Sequence, residues 1–187
     1  MRISGGDARG IRLKAPKGAR PTSERVRQAV FSSIAARLPD ARVLDLYAGS
    51  GAYGLEAISR GAASAVFVDA DAQATSLCTQ NARATGFADR VRVRRTSVER
   101  YLRRDARRDG PFDLAFVDPP YAKDARLDPL VDALADGALV ICEGRWRSDR
   151  PPDVRGLVVE ADRRYGDTRI VMLARGPSEQ AAPNGAI

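Results

Sequence analysis

The sequence predicts an α/β fold with an open, mostly parallel, seven-stranded sheet and helices on both of its faces. Apolar strand patterns alternate with helical patterns five times along the chain. A glycine-rich turn over residues 49–54 joins the first strand to its helix, as in nucleotide-type βαβ units. Two final strand patterns, 154–164 and 168–175, flank a Tyr165-Gly166-Asp167 turn, so the sheet is expected to end in an antiparallel hairpin.

Composition limits the chemistry and suggests a partner. The 187 residues include 31 Lys and Arg against 24 Asp and Glu, with no histidine, for a net charge of +7. The missing histidine excludes His-based triads and histidine metal ligands, and no metal is expected. The excess of arginine indicates a nucleic acid partner. The alternative is that the positive charge only helps to keep the protein soluble.

The chain also shows no targeting or membrane signal. No apolar run approaches the roughly 18 residues of a membrane span, and the first ten residues lack the apolar core of a signal peptide. We therefore expect a cytoplasmic protein and a monomer. Cys78 and Cys142 lack metal-ligand spacing, which predicts two reduced thiols.

Residues 1–20 are predicted to form a small basic β-hairpin that is appended to the main domain. Short apolar alternations at Ile3, Ile11 and Leu13 are separated by glycines, a pattern typical of a hairpin. The alternative is a frayed basic terminus. The hairpin is expected to face RNA through five basic side chains, namely Arg2, Arg9, Arg12, Lys14 and Lys17.

The main domain is predicted to span residues 21–175 and to begin with one helix over residues 21–38. Val26, Val30, Ile34 and Leu38 recur every four residues and form an apolar stripe from which Arg25 and Arg27 are excluded. Thr22 is the predicted N-cap of this helix.

The next βαβ unit contains the predicted ligand site. An apolar strand with Val43, Leu44 and Leu46 leads into the glycine turn and a helix, and a second apolar strand ends at Asp69, twenty residues after Gly49. Glycines let the backbone approach a ligand, the helix start offers free N–H groups, and an acid at this strand end can bind a ribose diol. The alternative is a structural strand–turn–helix without a ligand.

The middle of the chain continues the alternation. A helix over residues 72–84 is stopped by Gly86, and a strand follows over residues 91–95. After Thr96-Ser97 a helix is expected up to Arg108, and it carries a dense basic cluster of Arg103, Arg104, Arg107 and Arg108. A solvated helix face is the alternative interpretation of that cluster.

The fourth strand, 111–117, ends in the motif Asp118-Pro119-Pro120-Tyr121. A helix is predicted over residues 127–135, then a buried strand over residues 137–142. Residues 176–187 are predicted to be a disordered tail.

The Asp118 motif lies at the carboxyl end of a strand, where ligand sites of open α/β sheets form. Consecutive prolines stiffen the turn and leave carbonyl groups free to accept hydrogen bonds. Asp118 adds a carboxylate, and Tyr121 adds a flat aromatic face. Acceptors beside an aromatic ring suit a planar base with an exocyclic amine, whose nitrogen becomes more nucleophilic when its N–H groups donate hydrogen bonds.

These motifs carry a family resemblance. Residues 45–51, Asp-Leu-Tyr-Ala-Gly-Ser-Gly, resemble the S-adenosylmethionine loop of class I methyltransferases, and Asp-Pro-Pro-Tyr resembles the catalytic motif of amino-methyltransferases. Together with the basic hairpin, Arg20-Pro21-Thr22, Phe67-Val68-Asp69 and Tyr165-Gly166-Asp167-Thr168, they resemble the bacterial 16S ribosomal RNA guanine-N2 methyltransferases (RsmD-like) over residues 1–175.

The resemblance implies a Rossmann-like class I methyltransferase that methylates the exocyclic N2 of a guanine in 16S rRNA, the family target being guanine 966. The substrate would be an assembling small ribosomal subunit. The implied catalytic residues are Asp118, Pro119, Pro120 and Tyr121. The implied cofactor-binding residues are Arg20, Thr22, Asp45, Tyr47, Ala48, Gly49, Ser50, Gly51, Asp69, Ala70, Ser97 and Asp118. Ser97 departs from the family, which usually has an acid there to receive the adenine amine.

Other functions remain open at this point. A DNA adenine-N6 methyltransferase shares the Asp-Pro-Pro-Tyr motif but usually carries a target-recognition insertion that this chain lacks. A non-catalytic RNA-binding protein would not bind the cofactor. An NAD-dependent dehydrogenase would share the glycine turn but has no need of the Asp118 motif.

Overall fold

A computed structural model describes residues 1–15, 24–119, 127–146 and 152–176. Within these residues the α-helices are Glu24–Ser33 (α1), Ala52–Ser59 (α2), Ala72–Ala84 (α3), Val98–Arg104 (α4) and Ala106–Asp109 (α5). Short 3₁₀ helices lie at Ala35–Arg37, Ala88–Arg90 and Asp128–Ala133. The strands are Arg42–Leu46 (β1), Ser64–Asp69 (β2), Val91–Arg95 (β3), Phe112–Val117 (β4), Leu134–Arg145 (β5), Leu157–Tyr165 (β6) and Thr168–Arg175 (β7).

The strands form one seven-stranded sheet in the order β3-β2-β1-β4-β5-β7-β6. Strands β1 to β5 pair in parallel, and β7 is antiparallel to both β5 and β6. This confirms the predicted mostly parallel sheet with an antiparallel C-terminal hairpin. The chain moves outward in opposite directions from β1 and β4, so the crevice at the topological switch point lies between their carboxyl ends.

Each face of the sheet has its own apolar core, because successive strand residues point to opposite faces. In β1, Val43 joins a core with side chains of α1, α2 and α3, whereas Leu44 and Leu46 join the core of α4 and α5. The glycine loop and the carboxyl edge of the sheet are therefore supported from both sides.

The N-terminal segment is built into the first core. Arg2 and Arg12 form an isolated antiparallel bridge, and Ile3, Ala8 and Leu13 are buried against α2 and α3. The pairing is shorter than a full hairpin of two strands. The appendage therefore shares the core of the main domain, although its residues come first in the chain.

A buried glutamate attaches this segment to the domain. Glu56 in α2 is fully buried, and its carboxylate accepts hydrogen bonds from Ser4 N (2.8 Å), Ser4 Oγ (2.7 Å) and Arg60 Nε (2.8 Å). Arg27 Nε lies 3.6 Å from Glu56 Oε2, the oxygen that also accepts from Ser4 N. Arg27 is 1% exposed, so its expected position away from the buried face of the helix is wrong. The long side chain reaches the Glu56 charge and donates to Arg2 O.

Three predicted helices differ from the structure. The helix expected over residues 21–38 is α1 followed by a separate 3₁₀ turn, and Thr22 lies outside the described residues. The helix expected up to Arg108 breaks into α4 and α5 at Asp105. The segment expected to be helical over 127–135 is a 3₁₀ turn, and β5 starts early because Leu134 pairs with Phe112 before the register shifts.

Among the described residues, none of the helices has the length and apolar character needed to cross a bilayer.

Candidate active site

The glycine loop turns sharply after β1 and places the start of α2 against β2. Gly51, the N-cap of α2, has φ of 75°, a left-handed conformation that glycine adopts without strain. Gly54 follows within the first turn, where an added Cβ would lie 2.1 Å from a ring carbon of Phe67. The two glycines thus allow close packing of the helix on the strand, and the loop backbone faces the carboxyl edge of the sheet.

Asp69, at the end of β2, binds this loop directly. Its Oδ2 accepts a hydrogen bond from Gly49 N, and its Oδ1 accepts one from Asp71 N, both at 2.9 Å. Each carboxylate oxygen has a second lone pair. Because Asp69 is only half-buried, these lone pairs can accept hydrogen bonds from the two hydroxyl groups of a ribose while the bonds to the loop are kept.

Asp69 thus has two roles, since it holds the glycine loop and can bind a ribose. Replacing Asp69 with alanine is expected to weaken binding of a ribose-containing cofactor by roughly 1–3 kcal/mol, because a charged acceptor for two hydroxyls is lost. Isothermal titration calorimetry measures the change. Asp71→Ala is the matched control, since Asp71 caps α3 by accepting from Gln73 N. The control should lower stability by about 1 kcal/mol and leave cofactor affinity unchanged. Equal affinity of Asp69→Ala and the wild type would contradict the ribose role.

Asp45 lies beneath the loop in β1. The residue is 3% exposed, and its Oδ2 accepts from Gly54 N at 2.9 Å. Burial, the largest cause, and the negative charge of Asp69 together raise the pKa of Asp45 to about 7, against the lowering effect of the Gly54 N–H. A carboxyl in this position would be stabilised in its ionised form by a cation bound in the crevice.

Asp118 and Glu143 place two more carboxyl groups at the same edge. Asp118 follows β4 directly, and Glu143 lies in β5, the neighbouring strand. Although the Asp118 residue retains an exposed surface, desolvation of its carboxyl, together with the negative charges of Glu143 and Asp45, raises its pKa to about 8. Tyr53 Oη donates to Glu143 Oε2 at 2.7 Å and stacks on Phe116 at 4.8 Å, which fixes the glutamate at the crevice.

Four carboxyl groups therefore come from four adjacent strands, in the order β2, β1, β4 and β5. Asp45 interacts electrostatically with Asp69 and with Asp118, and Asp118 with Glu143. A chain with a net charge of +7 thus gathers four acidic side chains at the switch point. Such a crevice is complementary to a small cation that also has a diol.

This cluster predicts a pH dependence of stability in the free protein. Between the ordinary pKa of 3.8 and the raised value of about 7, native Asp45 retains a proton that the unfolded chain has released. The free energy of unfolding therefore falls as the pH rises through that window. Asp45→Asn, which can still accept from Gly54 N, is expected to stabilise the protein more at about pH 8 than at about pH 4. Urea unfolding at both values measures this, and the same effect at both would contradict it.

The remaining predicted cofactor residues lie around the loop. Tyr47 has φ of 58°, and burial together with Glu99 raises its pKa to about 12. Ala48 and Ser50 are buried, and Ala70 is exposed beside Asp69. Ser97 Oγ accepts from Arg100 N at 3.2 Å, so its hydroxyl caps α4. Pro119 follows Asp118, whereas Arg20, Thr22, Pro120 and Tyr121 lie outside the described residues.

Four of the predicted RNA-facing residues lie in the part of the N-terminal segment that the structure describes. Arg2 pairs with Glu24 at 3.3 Å, and Lys14 Nζ donates to Gln80 Oε1 at 2.9 Å. Arg9 and Arg12 are exposed, and Lys17 lies outside the described residues. Their RNA contacts remain a prediction.

Sequence reasoning missed Asn81, which joins the N-terminal segment to the glycine loop. Its Nδ2 donates to Ser50 O (2.9 Å) and Lys14 O (2.8 Å), and its Oδ1 accepts from Lys14 N (2.8 Å). The sequence signal was a polar residue one turn after Cys78, on the apolar side of α3. In the structure Asn81 is 1% exposed. Cys78 Sγ itself contacts Gly49 O at 3.4 Å. Glu143 was also missed, because only the strand order places it beside Asp118.

Comparisons with known proteins agree with this geometry. A family model described as conserved hypothetical protein 95 matches residues 1–174. Ribosomal RNA small subunit methyltransferase D of Escherichia coli K12 is 37% identical over 81% of this chain and 78% of its own length. The solved structure of the hypothetical protein TTHA0928 of Thermus thermophilus is 36% identical over 92% of this chain and 98% of that one, with a TM-score of 0.79.

A more distant structure supports the fold alone. An RNA methyltransferase of Salinibacter ruber is 18% identical, with a TM-score of 0.64 over 88% of this chain and 97% of that one. The predicted Rossmann-like methyltransferase fold is confirmed. The crevice, the family match and the identity to the Escherichia coli relative agree, and the chain belongs to the conserved hypothetical protein 95 family, that of the RsmD-like ribosomal RNA methyltransferases.

Proposed function

We propose that this protein is an S-adenosylmethionine-dependent methyltransferase that modifies the exocyclic N2 of a guanine in 16S rRNA. The observation that carries the proposal is the group of four carboxyls around the glycine loop, Asp45, Asp69, Asp118 and Glu143. S-adenosylmethionine has a ribose diol, an ammonium group and a sulfonium centre, so it is the kind of ligand that this acidic crevice fits.

Different residues of the chain would contact different parts of the cofactor. Asp69 would hold the ribose hydroxyls, and the loop from Tyr47 to Gly51, with Asp45 below it, would surround the methionine part. When bound, the cofactor supplies an electrophilic methyl group on its sulfonium sulfur. The raised pKa of Asp45 fits a carboxyl that lacks a cation in the free protein. No group of three or more His, Cys, Asp or Glu side chains suited to a metal occurs in the described residues.

Asp118 would act on the target base. Its carboxylate accepts a hydrogen bond from the guanine amine and so favours the pyramidal nitrogen that attacks the methyl carbon. S-adenosylmethionine, held by Asp69 and the loop from Tyr47 to Gly51, would supply the methyl group and leave as S-adenosylhomocysteine, and the methylated nitrogen would have to release a proton. Desolvation and the charges of Glu143 and Asp45 raise the pKa of Asp118, so its ionised form is a stronger base than an ordinary aspartate and would receive that proton. The chemistry therefore needs no histidine, which the chain lacks.

Two observations support the proposed substrate. The Escherichia coli relative is named for methylation of small subunit ribosomal RNA, and guanine N2 follows from the resemblance of the Asp118 motif and its surroundings to the guanine-N2 family. We further propose that the protein acts as a monomer on an assembling small subunit and that its target corresponds to guanine 966.

Two experiments test these parts separately. Calorimetry with S-adenosylmethionine and with NAD tests the cofactor, and binding of NAD alone would contradict the proposal. Transfer of a labelled methyl group to naked 16S rRNA, to assembly intermediates and to duplex DNA tests the substrate. We expect label in the RNA of assembly intermediates. Label in DNA would favour the adenine-N6 alternative, and cofactor-independent RNA binding without transfer would favour a non-catalytic role.

A further inference from the structure

The net charge of the chain is concentrated in one stretch. Residues 90–108 contain nine arginines and only two acids, Glu99 and Asp105, which gives this stretch a net charge of +7. The whole chain has 31 basic and 24 acidic residues, so the rest of it holds 22 of each. The stretch covers β3, α4 and most of α5, and the proposed function assigns it no role.

Four of the nine arginines have structural partners. Arg94 forms an ion pair with the buried Asp109 at 2.9 Å, and Arg90 donates to the carbonyls of Ala62 and Ala63. Arg107 lies 3.4 Å from Asp132, and Arg108 lies 3.1 Å from Asp105. The other five are exposed, and no acidic side chain among the described residues pairs with them; they are Arg92, Arg95, Arg100, Arg103 and Arg104.

Three of these five share one side of α4. Arg100, Arg103 and Arg104 have the i, i+3, i+4 spacing of neighbours on a helix surface, and the opposite side of α4 is buried in the core. We call these three residues the α4 arginine face. Like charges at this spacing on a helix surface repel each other and destabilise the helix. The face therefore costs stability unless an anion binds it.

The α4 arginine face begins at the edge of the active site. Ser97, the N-cap of α4, follows β3 at the carboxyl edge of the sheet, and Glu99 interacts electrostatically with Tyr47 in the cofactor loop. In the backbone register of β2 and β3, Arg95 lies opposite Asp69. From this edge the seven residues of α4 extend roughly 10 Å away from the crevice.

The position of this face relative to the N-terminal segment matters for a long substrate. The N-terminal segment packs with α2 and α3 on one face of the sheet, and α4 packs on the other. The two basic surfaces thus lie on opposite sides of the carboxyl edge that carries Asp69 and Asp118. A polyanion that enters the crevice could contact both surfaces.

We propose that the α4 arginine face binds phosphates of the RNA strand that flanks the target base, an inference that rests on the proposed function. Guanidinium groups donate planar, paired hydrogen bonds to phosphate oxygens and are weakly hydrated, so they lose little on leaving water. Contacts to phosphates position an RNA and add salt-dependent affinity without reading its sequence. The crevice then selects the base, while this face holds the strand on the α4 side.

The test is a triple variant, Arg100→Gln, Arg103→Gln and Arg104→Gln, measured by fluorescence anisotropy with a 16S rRNA fragment over a range of salt concentrations. Loss of three phosphate contacts is expected to weaken binding about tenfold or more and to reduce the slope of log affinity against log salt by about two to three. The matched control replaces three exposed arginines on other surfaces, Arg83, Arg155 and Arg163, with glutamine. It makes the same change in net charge and should retain most of the slope.

Two further measurements separate the possible results. Calorimetry with S-adenosylhomocysteine should give the same affinity for the triple variant and the wild type, and lysine at the three positions should restore most of the salt dependence. A triple variant that binds RNA like its control would overturn this inference and leave the proposed function standing. A wild-type protein without salt-dependent RNA affinity would overturn both.

Discussion

Replacing Asp118 with alanine is expected to slow methyl transfer about 10²–10³-fold, the usual cost of losing one preorganised electrostatic contact in an active site. Asp118 lies at the carboxyl end of β4, at the switch point of the sheet. Its proposed hydrogen bond stabilises the positive charge that develops on the amine as it attacks. This interaction strengthens only as the reaction proceeds, so its loss should lower the rate rather than the binding of substrate.

Single-turnover rates and calorimetric cofactor affinities should be measured together on the Asp118 variant. Asp113→Asn is the matched control, because Asp113 lies near the start of the same strand and its Oδ2 accepts from Arg42 N at 2.8 Å, a bond that asparagine can retain. The control should keep the wild-type rate. If Asp118→Ala transferred methyl groups at the wild-type rate, Asp118 would have no part in the chemistry.

Replacing Glu56 with alanine is expected to lower the free energy of unfolding by about 3–5 kcal/mol, because it leaves the buried Arg27 charge without its partner. Arg27 and Glu56 are both almost fully buried, and Arg27 Nη1 has no hydrogen-bond partner. The substitution also removes the acceptor for Ser4 N and Ser4 Oγ. The N-terminal segment should therefore loosen along with the whole domain.

Urea unfolding measures the stability of the Glu56 variant, and hydrogen exchange of residues 1–15 reports on the segment. Glu24→Ala is the control, since Glu24 pairs with Arg2 at the surface, where side-chain exposures are 40% and 62%. A surface pair contributes about 1 kcal/mol or less. Similar losses in the two variants would contradict the role of Glu56 as the attachment point.

Regular elements with a clear hydrophobic period were predictable from the sequence. The bounds of α3, β3 and β7 match those expected, because each has a consistent pattern and a stop signal such as Gly86 or the Gly166 turn. The segment after residue 127 was not predictable in this way. Its short apolar run fits a helix, but pairing of Leu134 with Phe112 draws the chain into the sheet.

The candidate site was predictable where function depends on local motifs. Asp69 and the glycine loop are close in sequence, and the structure joins them through the Gly49 N–H. Glu143 lies 25 residues beyond Asp118, and only the pairing of β4 with β5 brings them to the same edge. Arg27 illustrates the same limit, since its burial depends on Glu56, a charge on another helix.

The most direct test of the central claim is mass spectrometry of nucleosides from 16S rRNA after reaction with S-adenosylmethionine that carries a deuterated methyl group. Small-subunit assembly intermediates that lack the modification serve as substrate, and the Asp118→Ala protein serves as the slow control. We predict deuterated N2-methylguanosine at a single position of the RNA, and its formation at about a hundredth of that rate or less with the control. Deuterium in N6-methyladenosine, or in no nucleoside at all, would contradict the assignment of this crevice to guanine N2 methylation.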